Sequence, residues 1–200
     1  MTGIVSYGAH IPRLRLLRES IAAQIGWLVP GVTGLAQGEK AIANWDEDSV
    51  TMAVAAARDC LVGKQKASVD ALYLASTTLP FVDRLNAGIV ATALNLGEEL
   101  LAADFTSTQK AATTALTTAL EVVAGGSRSS VLVVGSDQRQ ARAGSGYEML
   151  LGDGAAALLV GAEDVIAELE GSYSVSHDFI DHYRGAERRF DYTWEERWVR

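Results

Sequence analysis

The sequence predicts an α/β fold, and three observations carry the prediction. Short apolar runs such as VDALYLAS and SSVLVVGS read as buried strands. Longer stretches with helical spacing of apolar residues separate those runs, and one of these stretches is unusually rich in alanine and threonine. Strands that alternate with helices imply a mostly parallel sheet covered on both faces.

The elements follow in order along the chain. TGIVSYGAHIPRLRL opens with a short apolar strand, then a proline-marked turn and a helix. Residues 24–48 are irregular and glycine-rich. From Asp46 to Leu61 the segment starts with acidic residues and sets Val50, Val54, Ala57 and Leu61 along one face, the pattern of a helix. VDALYLAS is a strand, TTLPFVDRLNAGIVATALNL a loop and helix, and ELLAADF a second strand of the same kind. The helix from about Gln109 to Val123 carries small side chains at nearly every position, which suits close packing at the centre of a fold. SSVLVVGS, GDGAAALLVGA and AELEGSYSVSHDF read as further strands.

Composition narrows the functional classes. At 200 residues and 48% apolar content the chain can build a packed core without disulfides. A formal charge of -8 argues against a nucleic-acid surface, and no apolar run suggests membrane insertion or export. The clusters Arg13, Arg15, Arg18 and Arg184, Arg188, Arg189 are solvated faces or contacts to the phosphates of a coenzyme. Two domains are expected: 1–176 as the α/β body and 177–200 as a tail rich in aromatic and charged residues. With Trp194 and Trp198 in its last seven residues, that tail is expected to pack on another chain or to lead onward into more protein.

Motifs of metal, phosphate and hydrolase chemistry are absent: there is no HExxH, CxxC, P-loop or GxSxG. His177 and His182 with Asp178 and Asp181 imitate a metal cluster, but an i,i+5 spacing is poor on a helix, so no metal is expected. Cys60, the single cysteine, lies beside an apolar stripe near a helix C-terminus, where a buried structural thiol is expected. The segment Asp104-Phe-Thr-Ser-Thr-Gln109-Lys110 differs in kind. A strand ends, a polar turn follows and a helix begins, a geometry that exposes a side chain where free N–H groups can meet a developing anion. Gln109 cannot act as a nucleophile, though its amide can donate to a thioester carbonyl or an enolate oxygen. Ser107 and Thr108 are either hydroxyl nucleophiles without a nearby base or N-cap residues.

Seven segments together resemble the N-terminal half of the thiolase superfamily, in its 3-hydroxy-3-methylglutaryl-CoA synthase and ketoacyl synthase III branch. They are GIVSYGAHIPRLRL, NWDEDSVTMAVAAARDCL, ALYLASTTLP, ADFTSTQKAATTALTTALEVVAGG, VLVVGSD, GYEMLLGDGAAALLVG and EERWVR. GYEMLLGDGAAALLVG is the most specific of them, and the resemblance spans essentially the whole chain. It implies a mixed five-stranded sheet with a buried central helix and covering helices. It also implies acyl-CoA thioester substrates, no bound cofactor, and a homo- or hetero-oligomer with a homologous thiolase-like subunit. Relatives of this branch also work with a small zinc-ribbon/OB-fold protein.

The resemblance places the family's catalytic cysteine at Gln109 and its acid/base glutamate near Thr78, within a loop that holds no glutamate. Lys110, Arg184 and Arg188 are weaker candidates for substrate contact. Without a thiol the usual acyl-enzyme route is closed, and the family's histidine belongs to its second half. Three readings follow: an acyl-CoA subunit without its nucleophile, working with a partner or as a scaffold; a Gln-type decarboxylase or condensing enzyme completed by another chain; and a small-molecule binding module unrelated to thioesters.

Overall fold

The computed structural model describes residues 1–177, 182–185 and 187–193. Trp194 and Trp198 of the tail, and Asp178 and Asp181 of the apparent metal cluster, lie outside the described residues. The chain divides into two compact units, the first made of residues 1–14, 41–138 and 153–170, the second of 15–40, 139–152 and 171–200.

The elements in chain order are β1 (Gly3–His10), β2 (Leu14–Leu17), α1 (Arg18–Ile25), a 3-10 turn over Pro30–Leu35, β3 (Glu39–Ile42) and α2 (Ser49–Cys60). Then come β4 (Ala71–Ala75), α3 (Asn86–Leu94), β5 (Leu101–Phe105), α4 (Ala111–Ala124), β6 (Ser130–Asp137), α5 (Gly146–Leu150), β7 (Gly154–Gly161), β8 (Ala167–Glu168), β9 (His182–Tyr183) and β10 (Tyr192–Thr193). The segment read as irregular therefore holds a 3-10 turn and a short strand, both too brief to leave a periodic signal.

The first unit is built on a sheet of order β5-β4-β6-β7-β1-β8. Five strands of five to eight residues form its body. AELEGSYSVSHDF, expected as a full strand, contributes among its described residues the two of β8, a sixth strand at the edge. Beyond it Tyr173 is 91% exposed, so its alternating apolar residues have no surface to cover. The sheet is mixed: β4 runs parallel to β5 and β6, whereas β7 returns antiparallel between β6 and β1. All five residues of β4 are buried, because it is central and covered on both faces.

Side chains alternate between the two faces. Leu72 and Leu74 of β4 with Leu132 and Val134 of β6 pack under α2 and α3, while Tyr73 and Val133 pack under α4. Helix α2, expected from Asp46, starts at Ser49 because Asp48 caps it: its carboxylate accepts from Thr51 N at 2.7 Å and Thr51 Oγ1 accepts from Asp48 N at 2.7 Å. The helix lies almost on β1. A Cβ at Gly8 would come within 2.6 Å of the Ala56 carbonyl oxygen and closer still to Cys60 N, so only glycine permits this approach.

Helix α4 presents Ala111, Ala115 and Ala119 to the sheet, one turn apart, and its outer face is open. On that outer side Thr113, Thr117 and Thr118 turn their hydroxyls back to the carbonyls of Lys110, Thr113 and Thr114 at 2.8–2.9 Å. On the same side of the sheet, β7 and β1 have little cover: Tyr7 is 71% exposed, and Ala156 is exposed beside half-buried Leu158.

The second unit has a small core of Ile21, Ala22, Val32 and Met149. Within it Arg18 Nε donates to the Met149 carbonyl at 2.6 Å, and Ser145 caps α5. A two-stranded β9–β10 ladder stacks Tyr183 on Tyr192.

Candidate functional site

The carboxyl ends of β4 and β6, the start of α4 and the start of β7 line an open cavity of about 330 Å³. Ligands of open α/β sheets sit at such carboxyl ends. The walls are small: Ala75 from β4, Ala111 and Ala112 from α4, Gly135 from β6 and Ala156 from β7. Polar groups enter from the loops, from Ser76 and Thr77 after β4, from Thr108 and Gln109 before α4, and from Asp137 at the end of β6.

Gln109 lies two residues before α4 in an exposed turn, not inside the helix as its spacing suggested. The turn is tight because Ser107 adopts a left-handed conformation, with φ of 66°. Thr108 then closes the turn: its hydroxyl accepts from Lys110 N at 3.2 Å and its carbonyl from Ala111 N at 3.1 Å. Thr108 thus uses two of the N–H groups that open the helix. Neither Ser107 nor Thr108 occupies the N-cap position; Thr108 braces the turn two residues ahead of it. Lys110 is the N-cap residue, exposed and outside the cavity lining.

Thr78 stands one residue beyond the lining and serves as a brace. Its carbonyl accepts from Ser49 Oγ of α2 at 2.8 Å, and its hydroxyl donates to Asp137 Oδ1 and accepts from Gln138 N, each at 3.0 Å. Asp137 is the hub of this corner. Oδ1 also accepts from Ser76 Oγ at 3.0 Å, Thr77 N at 2.7 Å and Thr77 Oγ1 at 3.0 Å, while Oδ2 takes no donor among the described residues. Sequence reasoning missed Asp137. The available signal was a carboxylate ending an otherwise apolar strand run.

Ser136, 4% exposed, shares its sheet face with its cross-strand partner Ala155, which packs on the side of α2. Its hydroxyl has no hydrogen-bond partner. A second polar corner lies beyond β1, where His10 Nε2 meets Glu47 Oε1 at 2.8 Å. The Asn44 N–H at Oε2 and then His10 hold the Glu47 carboxyl below its usual range, with Arg13 adding to the effect.

Arg184 and Arg188 belong to the second unit, where the Arg188 N–H donates to the Gly185 carbonyl at 2.9 Å and its side chain is exposed. Cys60 is 1% exposed, and burial pushes its thiol pKa up. Among the described residues no group of three or more His, Cys, Asp and Glu is placed to hold a metal ion, and no helix is long and apolar enough to cross a membrane.

The sheet order, the helices on its faces and the small-walled cavity at the start of α4 define a thiolase-like α/β domain. Comparison with known proteins agrees. The family described as 3-Oxoacyl-[acyl-carrier-protein (ACP)] synthase III matches residues 103–176. The hydroxymethylglutaryl-CoA synthase of Methanopyrus kandleri is 36% identical over 185 residues, 91% of this chain and 53% of that protein. Its counterpart in Archaeoglobus fulgidus is 35% identical over 187 residues, covering 92% and 54%. An HMG-CoA synthase solved in complex with CoA superposes with a TM-score of 0.83 at 22% identity, over 96% of this chain and 50% of the other. The 3-oxoacyl-(acyl carrier protein) synthase III FabH of Pseudomonas aeruginosa PAO1 gives 0.70 at 27% identity, over 82% and 51%. The chain belongs to the thiolase superfamily, in its hydroxymethylglutaryl-CoA synthase and ketoacyl synthase III-like branch, and corresponds to the N-terminal half of that fold. It spans about half the length of the curated relatives it matches.

Proposed function

We propose that this chain is an acyl-CoA thioester subunit without a nucleophilic thiol of its own, acting with a partner chain in carbon–carbon bond chemistry. One observation carries the reading. The residue before the N-cap of α4, at the mouth of the cavity, is Gln109, and the chain's single sulfhydryl is Cys60, shut in the core. A glutamine amide there can donate to a thioester carbonyl or an enolate oxygen but cannot form an acyl-enzyme.

The partner is a homologous thiolase-like subunit. Supporting this, the face of the sheet beside α4 leaves Tyr7 and Ala156 exposed and Leu158 half-buried among the described residues, although such a sheet is stable when both faces are packed. The threonine methyls of α4 extend that face. A zinc-ribbon/OB-fold protein is a further candidate partner. A Gln-type decarboxylase remains the second reading, favoured by the same Gln109 position.

Intact-mass analysis tests the central claim. After incubation with acetyl-, malonyl- or acetoacetyl-CoA the chain is expected to keep its unmodified mass while ligand-observed NMR registers binding. A stable acyl adduct would overturn the reading. Release of CO2 from malonyl-CoA without an adduct, abolished by Gln109→Ala, would replace it with the decarboxylase.

A further inference from the structure

We infer that His10 is a pH-responsive positioning residue: through Glu47 and Gln138, its charge sets how firmly the Thr78–Asp137 corner of the cavity is held. The inference concerns the chain itself and holds whichever ligand the cavity takes.

A path of hydrogen bonds connects the two places. Glu47 closes a turn ahead of α2: its N–H donates to the Asn44 carbonyl at 3.1 Å, and its Oε2 accepts from Asn44 N at 2.8 Å. His10 Nε2 meets the other carboxylate oxygen at 2.8 Å and so ties this turn to the end of β1. The Glu47 carbonyl accepts from Gln138 Nε2 at 3.3 Å, and Gln138 N donates to Thr78 Oγ1 at 3.0 Å. Thr78 Oγ1 donates in turn to Asp137 Oδ1, where Thr77 N also arrives, and both Asp137 and Thr77 line the cavity. A second bond runs alongside, from Ser49 Oγ to the Thr78 carbonyl at 2.8 Å.

On this path His10 is the residue type that changes charge near neutrality, because histidines do so between about pH 5 and 8. Glu47 stays ionised there, its carboxyl held below 4.5 by the Asn44 N–H first and His10 second. The two side chains are 26% and 23% exposed, so protons reach the ring from solvent. The other charges around the pair are Arg13 after β1, Asp46 and Asp48 beside Glu47, Asp59 of α2, which accepts from Ala9 N, and Asp153 just before β7, which accepts from Ala43 N. Side chains of these types keep their charges between about pH 5 and 8.

With the ring protonated, the pair is a charge-assisted bond that holds the turn against β1. With the ring neutral, the ionic part of that bond is lost and the turn loosens. The bond from Gln138 to Glu47 is the longest on the path, and it yields with the turn. Rising pH therefore relaxes the corner from behind.

Amide NMR on the full labelled chain between about pH 5 and 8 tests this. The Gln138 side-chain amide and the backbone N–H groups of Asn44, Gln138 and Thr77 are expected to shift with the midpoint read from the His10 ring. Their protection against hydrogen exchange, corrected for the intrinsic rate, should fall about two- to fivefold across that midpoint, as suits a part-exposed pair. His10→Gln keeps a donor near the Nε2 position and removes the titration, so it should flatten these profiles. Glu47→Gln should leave the ring titrating and Gln138 still, which separates transmission through the carboxylate from the direct field of the ring. If either variant does not fold, the profiles of the unaltered chain still decide. A His10 ring that titrates while Gln138 and Thr77 stay fixed would overturn the inference. So would a ring that keeps one charge across the range, or a Gln138 that still moves in Glu47→Gln.

Discussion

Asp104, at the end of β5, caps helix α3 from the neighbouring strand through Asn86. Its Oδ2 accepts from the Asn86 backbone N–H at 2.8 Å and from Asn86 Nδ2 at 2.9 Å, and Oδ1 accepts from Ala87 N at 2.7 Å. The residue in the N-cap position of α3 is Leu85, which has no side chain able to do this. One carboxylate therefore both satisfies the opening of a helix and fixes that helix to the sheet edge.

Removing that carboxylate should be costly. Asp104→Ala leaves the buried backbone N–H groups of Asn86 and Ala87 without an acceptor, while Asn86 Nδ2 keeps the Phe81 and Arg84 carbonyls. A loss of roughly 2–4 kcal/mol is expected in urea unfolding. Asp104→Asn, which keeps an acceptor but loses the charge favoured at a helix N-terminus, should fall in between. A cost below about 0.5 kcal/mol for the alanine variant would contradict the capping role.

Ser136 predicts a gain instead. Its hydroxyl is buried and unpartnered, which burdens the folded state by about 1–3 kcal/mol. Ser136→Ala removes the unsatisfied group at nearly constant shape, so it should raise the Tm by a few degrees. Thermal unfolding of the two chains side by side checks it, and a lowered Tm would refute it.

Glu47 sets part of the acid limb of stability. Its carboxyl pKa lies below the ordinary 4.5, through the Asn44 N–H first and His10 second, so the folded state binds a proton at this group less readily than the unfolded chain does. The resulting stabilisation is present above 4.5 and is lost as the pH falls through the lower folded-state value. Glu47→Gln should therefore lower the Tm at pH 6, with the difference from the parent shrinking steadily toward about pH 3. A difference independent of pH would mean that the charge plays no part.

Cys60 should be slow to react. Burial raises its thiol pKa, the Ser6 hydroxyl lies 3.4 Å from Sγ, and the side chain is 1% exposed. Labelling with a thiol reagent at pH 8 is expected to be at least about a hundredfold slower in the native chain than in denaturant. Comparable rates would show that the core opens readily around β1 and α2.

The parts legible from sequence were those whose signal is local. β4 and β6 stand out because strands buried on both faces are continuous apolar runs. Helix α2 stands out because acidic residues precede it and Val50, Val54, Ala57 and Leu61 share one face. Gln109 was placed at the start of α4 from the change of pattern alone, two residues too far into the helix because Thr108 shapes the turn before it. The corner around Asp137 was not legible: its donors on Ser76, Thr77 and Thr78 lie about sixty residues away, and no periodicity reports a bond of that span. Thr78 was noticed through resemblance, as the place of a missing acid, whereas its bonds make it the strut that holds a different acid in position.

The threonines of α4 carry a consequence for how such a surface is recognised at all. Thr113, Thr117 and Thr118 score as polar on any scale that treats a residue by its free hydroxyl, yet each hydroxyl is bonded within the helix. A rotation about one side-chain bond would return the hydroxyl to water. A face built this way can be wetted while the chain is alone and greasy once something lies against it, so it escapes both aggregation and a hydropathy scan.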